Sequence, residues 1–253
     1  MPSISKRLAI AVFGFYFCYL VVAAAPASLV SWAVMKALPQ LKLGGISGTV
    51  WTGRAAGAFL TVNGAPLSLG SVNWHLSPAK LLLLKACVTV KSEKLSGELC
   101  QGVTGSSMRG VQVEIPANLT NSLVADMGTS VEGSLSLQVT HAVWNKALAV
   151  NALNSTLNWR AAKISVNGNS YALGDYAAAL TADGKGGLTA KVSDTSGPIK
   201  VNLDVTLKAG QPPRLVGDIN PGEQAPAAIR DALSLVAVPG DNGILRVTYP
   251  LGG

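Results

Sequence analysis

The residues that could carry out catalytic or metal chemistry in this sequence are few and scattered. There are two histidines, His75 and His141, and neither has the HxxxH or HExxH spacing that brings zinc ligands to one helix face. Motifs for a nucleophile elbow, a phosphate-binding loop or a dinucleotide turn are also missing from the sequence. The acidic residues are distributed along predicted strands and turns. We therefore expect no catalytic residues, no metal and no cofactor.

The three cysteines suggest an oxidising compartment. Cys18 lies in an apolar run, where a thiol is a small hydrophobic group, while Cys87 and Cys100 flank a polar turn. If that turn is symmetric, Cys87 and Cys100 face each other across two strands and can form a disulfide, which would add about 3 kcal/mol of stability. Two unrelated buried thiols are the alternative.

The charge of the chain is unevenly distributed. The 253 residues carry a net charge of +7, but residues 1–92 hold eight basic residues and no acidic one, whereas the remainder is close to neutral. Only 13% of residues are charged and 49% are hydrophobic, which excludes a disordered chain. The basic residues form no pattern typical of nucleic-acid binding, so we expect no nucleic-acid partner. A basic segment beside an apolar run favours contact with anionic lipid.

The N-terminus predicts a membrane anchor. No charge occurs from Leu8 to Met35, and a helix needs about 20 apolar residues to cross the hydrocarbon layer. We predict that Leu8–Ala25 spans the membrane and that Trp32 and Lys36 anchor the end of the helix at the interface. Residues 1–36 would then form a cytoplasmic tip and transmembrane anchor, with residues 37–253 on the far side.

A cleaved signal peptide is the alternative to this anchor. Ala25-Pro26-Ala27 has the small-x-small form of a cleavage site. Cleavage would free the rest of the chain from the membrane.

The rest of the sequence alternates with the period of a β-strand. Apolar and polar residues alternate over Val131–Thr140 and Ile199–Lys208, and more briefly over Val72–Leu76, Val111–Ile115, Leu188–Val192 and Leu245–Tyr249. Asn63-Gly64 and Asn167-Gly168 are typical two-residue hairpin turns, and Gly184–Gly187 is typical of a hairpin loop. We predict a mainly β fold, an antiparallel twisted sheet or half-barrel.

Three short helical segments accompany the strands. They are predicted over Ala79–Leu84, Asn118–Met127 and Pro226–Val236. The last two each follow a block of strands and a proline, which suggests two similar halves, about 44–128 and 129–250.

Short motifs in both halves carry a family resemblance. In the first half, Gly45–Ala55 is followed by Gly70–Leu81, and in the second Leu157–Ala162 is followed by Leu173–Tyr176. Together they resemble type II secretion system protein N, an inner-membrane component of the general secretion pathway of Gram-negative bacteria. The matching positions are Gly48, Trp51, Gly53, Arg54, Trp74, Pro78, Trp159 and Gly174. The run Leu82–Lys85 departs from the family, which tends to have a glycine-containing turn there.

The resemblance implies a function. It implies a single-pass inner-membrane protein with its bulk in the periplasm, acting as a non-enzymatic accessory component of the secretion apparatus. Its partners would be other inner-membrane and periplasmic components of that apparatus, together with inner-membrane lipid. The tryptophans could equally be core residues, and Arg54 could be solvated or could bind a carboxylate of a partner.

The long apolar strand faces allow a second interpretation. Faces such as those of Val131–Val139 and Ile199–Leu207 could line a groove for lipid or another apolar ligand. Alternatively, the short helices could cover them and close an ordinary core.

Overall fold

The computed structural model describes residues 3–62, 64–121, 129–166, 168–208, 210–240 and 243–249. The helices in this part of the chain are α1 (Ser3–Ala23), α2 (Ser28–Ala37), α3 (Pro78–Leu81) and α4 (Ala227–Val236), and a 3₁₀ turn covers Ala117–Thr120. The strands are β1 (Leu41–Gly48), β2 (Thr52–Val62), β3 (Ala65–Leu76), β4 (Lys85–Lys91), β5 (Leu95–Gly102), β6 (Gly105–Pro116), β7 (Thr129–Asn145), β8 (Val150–Val166), β9 (Asn169–Ala182), β10 (Leu188–Ser196), β11 (Ile199–Leu207), β12 (Arg214–Pro221), β13 (Val238–Pro239) and β14 (Leu245–Tyr249).

The chain forms two compact units, residues 1–93 and residues 94–253, called here the N-terminal unit and the C-terminal unit. In the N-terminal unit, β1 to β4 lie side by side in chain order and every neighbouring pair is antiparallel. In the C-terminal unit, β5 to β12 continue in chain order, and β14 lies between β12 and β13. The prediction of a mainly β, antiparallel fold is therefore confirmed.

The alternating segments form strands. On β7, Ser134 and Ser136 of the predicted wet face are half-buried, whereas β11 has the predicted phase. On β11, Ile199 is buried, while Val201, Leu203 and Val205 are half-buried and the intervening Lys200, Asn202 and Asp204 are exposed. The segments predicted around residues 72, 111, 188 and 245 lie in β3, β6, β10 and β14. Period-2 patterning identified these strands because one face of each is removed from water.

The predicted hairpin turns lie where the structure has strand connections. Val62 pairs with Ala65 across Gly64, and Val166 pairs with Asn169 across Gly168. Both glycines have a φ of +82°, a conformation that glycine adopts without steric cost. Asn63 and Asn167 lie outside the described residues. The loop over Gly184–Gly187 connects β9 to β10, as predicted.

The helix predictions succeed at one place and need correction at another. The segment predicted over Pro226–Val236 is α4. The turn predicted over Ala79–Leu84 is α3, which ends earlier, at Leu81, and Leu84 has a φ of +56° that a right-handed helix does not permit. Of the helix predicted over Asn118–Met127, the structure describes a 3₁₀ turn ending at Thr120, and residues 122–128 lie outside the described residues.

The apolar N-terminal run forms two helices. Helix α1 ends at Ala23 and α2 begins at Ser28. Between them Ala24 and Ala27 lie in turns, and Pro26 forms an isolated bridge to Thr49 of the turn between β1 and β2. Trp32 and Lys36 therefore lie on the separate helix α2, and not at the end of the predicted anchor. Among the helices that the structure describes, none has the length and apolar character needed to cross a membrane. The spanning helix predicted over Leu8–Ala25 thus gains no support.

The core of the N-terminal unit is small. It is built from Ala27, Ala55 and Trp74, with Val30, Leu43, Ile46 and Val88 packed against it. Because Ala27 precedes α2 and Val30 lies on it, the second helix is packed onto the sheet by this core. In the C-terminal unit a second cluster forms around Val111, Val139 and Ala142.

Candidate functional site

The motif positions of the N-terminal unit form one connected structure around the turn between β1 and β2. Trp51 lies in this turn and donates its indole N–H to the carbonyl of Val22 in α1, at 2.9 Å. The N–H of Val50 donates to the carbonyl of Ala25 at 2.9 Å, and the N–H of Ala27 donates to the carbonyl of Gly48 at 3.2 Å. The turn thus fixes the end of α1 and the start of α2 to the sheet. We call this arrangement the motif turn, residues 48–52.

Gly48 is required by the backbone of the motif turn. Its φ is +94°, and a Cβ there would lie 2.5 Å from the carbonyl oxygen of Thr52. Any side chain would therefore clash with the backbone across the turn. The N–H of Thr49 donates to that same carbonyl at 2.9 Å, which closes the turn.

Gly53 makes room for Trp74. The two residues are cross-strand partners on β2 and β3, and a Cβ on Gly53 would lie 2.2 Å from the Trp74 ring. Trp74 is 7% exposed, and its indole nitrogen has no hydrogen-bond partner among the described residues. The ring is held by packing, so Trp74 is a residue of the hydrophobic core. The glycine and the tryptophan are thus the two halves of one contact, although 21 positions separate them.

Arg54 lies on the opposite face of β2. It is exposed, whereas its neighbours Gly53 and Ala55 are buried. Its cross-strand partners are Ser47 and Asn73, and on the same face the Thr52 hydroxyl and His75 Nδ1 are hydrogen-bonded at 3.1 Å. This face is polar and faces solvent. Arg54 and His75 are thus both exposed on this face of the sheet.

The predicted anchor residues lie on different elements. Leu8 is on α1 and is 65% exposed, whereas Ala25 follows α1 and accepts a hydrogen bond from the motif turn. Trp32 and Lys36 are on α2, where the lysine Nζ lies 5.1 Å from the centre of the indole ring. This distance allows a cation–π interaction. Trp32 is 63% exposed, so α2 presents an amphipathic pair to its surroundings.

Pro78 and the two cysteines lie near the ends of strands. Pro78 is exposed and begins α3, as expected for a proline at the first helical position. Cys87 is 2% exposed on β4, and Cys100 is half-buried on β5. The two residues belong to different units, and the disulfide between them stays a prediction.

The motif positions of the C-terminal unit surround a series of bulges in β8, β9 and β10. Trp159 donates its indole N–H to the carbonyl of Glu132 at 2.9 Å, and its ring centre lies 6.2 Å from that of Tyr176. Gly174 has a φ of +101°, and a Cβ there would lie 2.1 Å from the carbonyl of Ser196. Trp159 and Gly174 therefore have structural contacts comparable to those of the first half.

The sequence assigned no role to three polar residues at these bulges, Asp175, Tyr176 and Asp194, although the first two lie in the motif Leu173–Tyr176. Asp175 accepts hydrogen bonds from the Ala161 N–H at 2.7 Å and from the Ser196 hydroxyl at 2.9 Å, and these bonds lower the pKa of its carboxyl group. Burial and, to a smaller extent, the nearby carboxylate of Asp194 raise the pKa of Tyr176.

Asp194 itself accepts from Lys200 at 2.9 Å and from the Val201 N–H at 3.0 Å. The contact with Lys200 lowers the pKa of Asp194 and is the largest effect. Burial opposes it, and the hydrogen bond from the Val201 N–H lowers the pKa further. Asp175 and Asp194 both hold bulged backbone in place. No periodic pattern marks such residues, because bulges depend on how neighbouring strands align.

One cavity of the C-terminal unit is polar. It has a volume of about 410 Å³ and is lined by Pro116, Asn118, Asn121, Ser130, Glu132 and Gly133. Its carboxylate has neither a histidine nor a cysteine beside it in the lining. Among the described residues of this lining there is no paired acid and base and no cluster of metal ligands. The expectation that the protein is not an enzyme stays a prediction.

Comparison with known proteins gives the family of this chain. A family model described as "Type II secretion system (T2SS), protein N" matches residues 39–248. A protein from Aeromonas hydrophila named "Type II secretion system protein N" is 25% identical over 217 residues, which cover 83% of this chain and 83% of that protein. No solved structure matches. The matched residues include both sets of motif positions, from Gly48 to Gly174, and the chain therefore belongs to the type II secretion system protein N family.

Proposed function

We propose that this protein is a non-enzymatic accessory component of the type II secretion apparatus, attached to the bacterial inner membrane by its N-terminal helical segment and acting through β units in the periplasm. Family membership supports the link to secretion. The observation that carries the rest is the hydrogen bond from the Trp51 indole to the Val22 carbonyl. Through it, whatever holds α1 also holds the sheet of the N-terminal unit.

The surface of α1 supports attachment to the membrane. The large apolar side chains described on this helix are all between 44% and 72% exposed: Leu8, Ile10, Val12, Phe13, Tyr16, Phe17, Tyr19, Leu20, Val21 and Val22. A helix that is apolar around its circumference is stable only when lipid or protein covers it. Lys6 and Arg7 at its start favour a cytoplasmic N-terminus by the positive-inside rule.

Binding is the mechanism that this arrangement supports. Partners among the inner-membrane and periplasmic components of the apparatus would reach the polar face of β2, where Arg54 is exposed. A guanidinium there can bind a carboxylate in a bidentate manner. Lipid would contact the apolar surface of α1 and the exposed Trp32.

A photo-crosslinking experiment in cells tests this role. A photoreactive residue placed at Arg54 of the full chain should give adducts with components of the secretion apparatus, identified by mass spectrometry. The matched control is the same probe at Lys191, which is also an exposed cation on a strand but lies in the C-terminal unit. Deletion of the gene should lower secretion, and the wild-type gene should restore it. Unchanged secretion in the deletion strain, together with no adduct to any component of the apparatus, would contradict the proposal.

A second candidate function is the handling of lipid or another apolar ligand. The specific observation is that Val201, Leu203 and Val205 on β11 are half-buried and lie outside the buried cluster around Val139. Helix α4 packs chiefly against β14. A half-buried apolar face of this kind favours a groove over a closed core. Native mass spectrometry of the gently solubilised protein should detect a bound lipid, and its absence would contradict this function.

A further inference from the structure

Three consecutive leucines are exposed between α3 and β4. Leu82, Leu83 and Leu84 are 87%, 71% and 72% exposed, and we call these residues the leucine loop. Lys80 precedes them and Lys85 follows them. A soluble surface rarely places three adjacent leucines in water, and such a patch marks a surface that another body covers.

The backbone holds the leucine loop in a fixed conformation. The N–H of Leu83 donates to the carbonyl of Lys80 at 3.1 Å, and the N–H of Leu84 donates to the carbonyl of Leu81 at 2.9 Å. Leu84 has a φ of +56°, a conformation that glycine would adopt without steric cost and that is unfavourable for leucine. The position therefore keeps a large apolar side chain where local geometry favours glycine.

The leucine loop lies at the same edge of the N-terminal unit as the end of α1. Strand β3 ends at Leu76 and β4 begins at Lys85, at the edge where β1 ends and β2 begins. Two hydrogen bonds connect this edge to the helix: the Leu76 N–H donates to the carbonyl of Trp51 at 2.7 Å, and the Trp51 indole donates to the carbonyl of Val22 at 2.9 Å. The loop is thus on the side of the unit from which the apolar helix leaves.

The positive charge of this edge favours contact with an anionic surface. Residues 1–92 contain no acidic residue, and Lys80 and Lys85 lie on either side of the run Leu81–Leu84. The nearest acidic residue along the chain, Glu93, has its carboxylate beside Gly70, which precedes the end of β3 by six residues. Because each strand residue adds about 3.3 Å, the Glu93 carboxylate lies about 20 Å along β3 from the end of that strand. Lysines beside an apolar tip are typical of segments that bind anionic lipid head groups.

We propose that the leucine loop inserts into an anionic bilayer surface, so that the membrane holds the N-terminal unit at a second point besides α1. The inference rests on the proposed attachment of α1, because that attachment brings the edge of the sheet to the lipid. The leucines would enter the interfacial region, and the exposed Lys85 would contact lipid phosphates. The occupant is therefore a phospholipid surface carrying negative charge.

Photo-crosslinking of the full chain in vesicles tests the proposal. A benzophenone side chain replaces Leu83 in one variant and Phe59 in the other, and both are reconstituted into vesicles of phosphatidylethanolamine and phosphatidylglycerol. Phe59 is 50% exposed in the same unit but lies on β2 towards its other end, opposite Ser68. The Leu83 probe should give lipid adducts in several-fold excess over the Phe59 probe. Equal yields at the two positions, or no lipid adduct at Leu83, would overturn the proposal.

The role of charge is tested by the lipid and by Lys85. Vesicles of phosphatidylcholine, or the variant Lys85→Gln, should reduce the yield at Leu83 several-fold, and an unchanged yield would overturn the anionic part of the proposal. If the probe at Leu83 gives protein adducts in cells instead of lipid adducts, the occupant is a protein and the proposal is wrong.

Alkaline carbonate extraction of the same vesicles separates the two levels of inference. Extraction of the protein would contradict the attachment of α1, whereas retention without a lipid adduct at Leu83 would contradict the leucine loop alone.

Discussion

Gly53 and Trp74 show how a single missing side chain determines the packing of the N-terminal unit. Replacing Gly53 by Ala would place a methyl group 2.2 Å from the indole ring, so either the ring or the strand must move. We expect the free energy of unfolding to fall by about 1–3 kcal/mol, as for other overpacked cores. Urea unfolding of the full chain in detergent, followed by tryptophan fluorescence, measures the change.

Gly44→Ala is the matched control for this substitution. Gly44 is also a strand glycine of the N-terminal unit, but a Cβ there would have no heavy atom within 4 Å. Its unfolding free energy should change by less than about 0.5 kcal/mol. Equal effects of the two substitutions would show that the contact between Gly53 and Trp74 is not close-packed.

Asp175 should make the C-terminal unit sensitive to acid. Its folded-state pKa is lowered, first by the hydrogen bond from the Ala161 N–H and then by that from the Ser196 hydroxyl. The stabilisation is therefore present above the unfolded pKa, about 4, and is lost as the pH falls through the lower folded value. Thermal unfolding measured at decreasing pH below about 4 should show a falling midpoint.

Asp175→Asn should flatten that acid dependence. Asp204→Asn is the control, because Asp204 is exposed and lies 3.9 Å from Lys191, with no bulge to hold. If both variants keep the acid dependence of the wild type, the hydrogen bonds of Asp175 do not contribute to stability.

The cysteines give a third prediction at the scale of single residues. We expect Cys87 and Cys100 to be joined by a disulfide in an oxidising compartment, and a disulfide that closes the loop between residues 87 and 100 adds about 3 kcal/mol. Maleimide labelling of the denatured protein under non-reducing conditions should modify Cys18 alone, and labelling after reduction should modify all three cysteines. Modification of Cys87 and Cys100 without reduction would show that the pairing is wrong.

Strand β11 gives the prediction at the scale of elements. Leu203 is half-buried between the apolar Val201 and Val205, whereas its neighbour Asn202 is exposed. Leu203→Asp places a charge on the apolar face at a cost of several kcal/mol if that face is dry, against a total stability of about 5–15 kcal/mol. Asn202→Asp changes only the wet face. Limited proteolysis of the two variants should show unfolding for the first and wild-type resistance for the second.

A different outcome at Leu203 would identify a groove. If Leu203→Asp leaves a protease-resistant fold but removes the lipid seen by native mass spectrometry, then the face of β11 is a ligand surface and not a core. If both substitutions are tolerated with lipid still bound, the face of β11 has neither role.

At the scale of the whole molecule, the membrane topology is the property that decides function. We expect the mature protein to keep its N-terminus in the cytoplasm and the residues after Lys36 in the periplasm. Reporter fusions after Arg7 and after Tyr249 should locate these two positions on opposite sides of the inner membrane. N-terminal sequencing of the mature protein should not find Ser28 as the first residue, since that result would mean that Leu8–Ala25 is a cleaved signal peptide.

The sequence alone determined the features that depend on local patterns. Strands such as β11 and β14 follow from alternation, because burying one face of a strand imposes a period of two on its residues. The two-residue turns follow from Gly64 and Gly168, whose φ of +82° in the structure is the conformation that hairpin turns need. The family resemblance is visible in short motifs that contain Gly48, Trp51 and Trp74.

The tertiary structure decided what distant residues do to each other. No local pattern shows that the Trp51 indole binds the carbonyl of Val22, or that the apolar N-terminal run breaks at Pro26 to pair with Thr49. The half-buried state of Leu203 and the exposure of Leu82–Leu84 are likewise invisible in the sequence, where a leucine is expected to be buried. Burial depends on which elements cover a residue, and that is set by long-range packing and not by the identity of the residue itself.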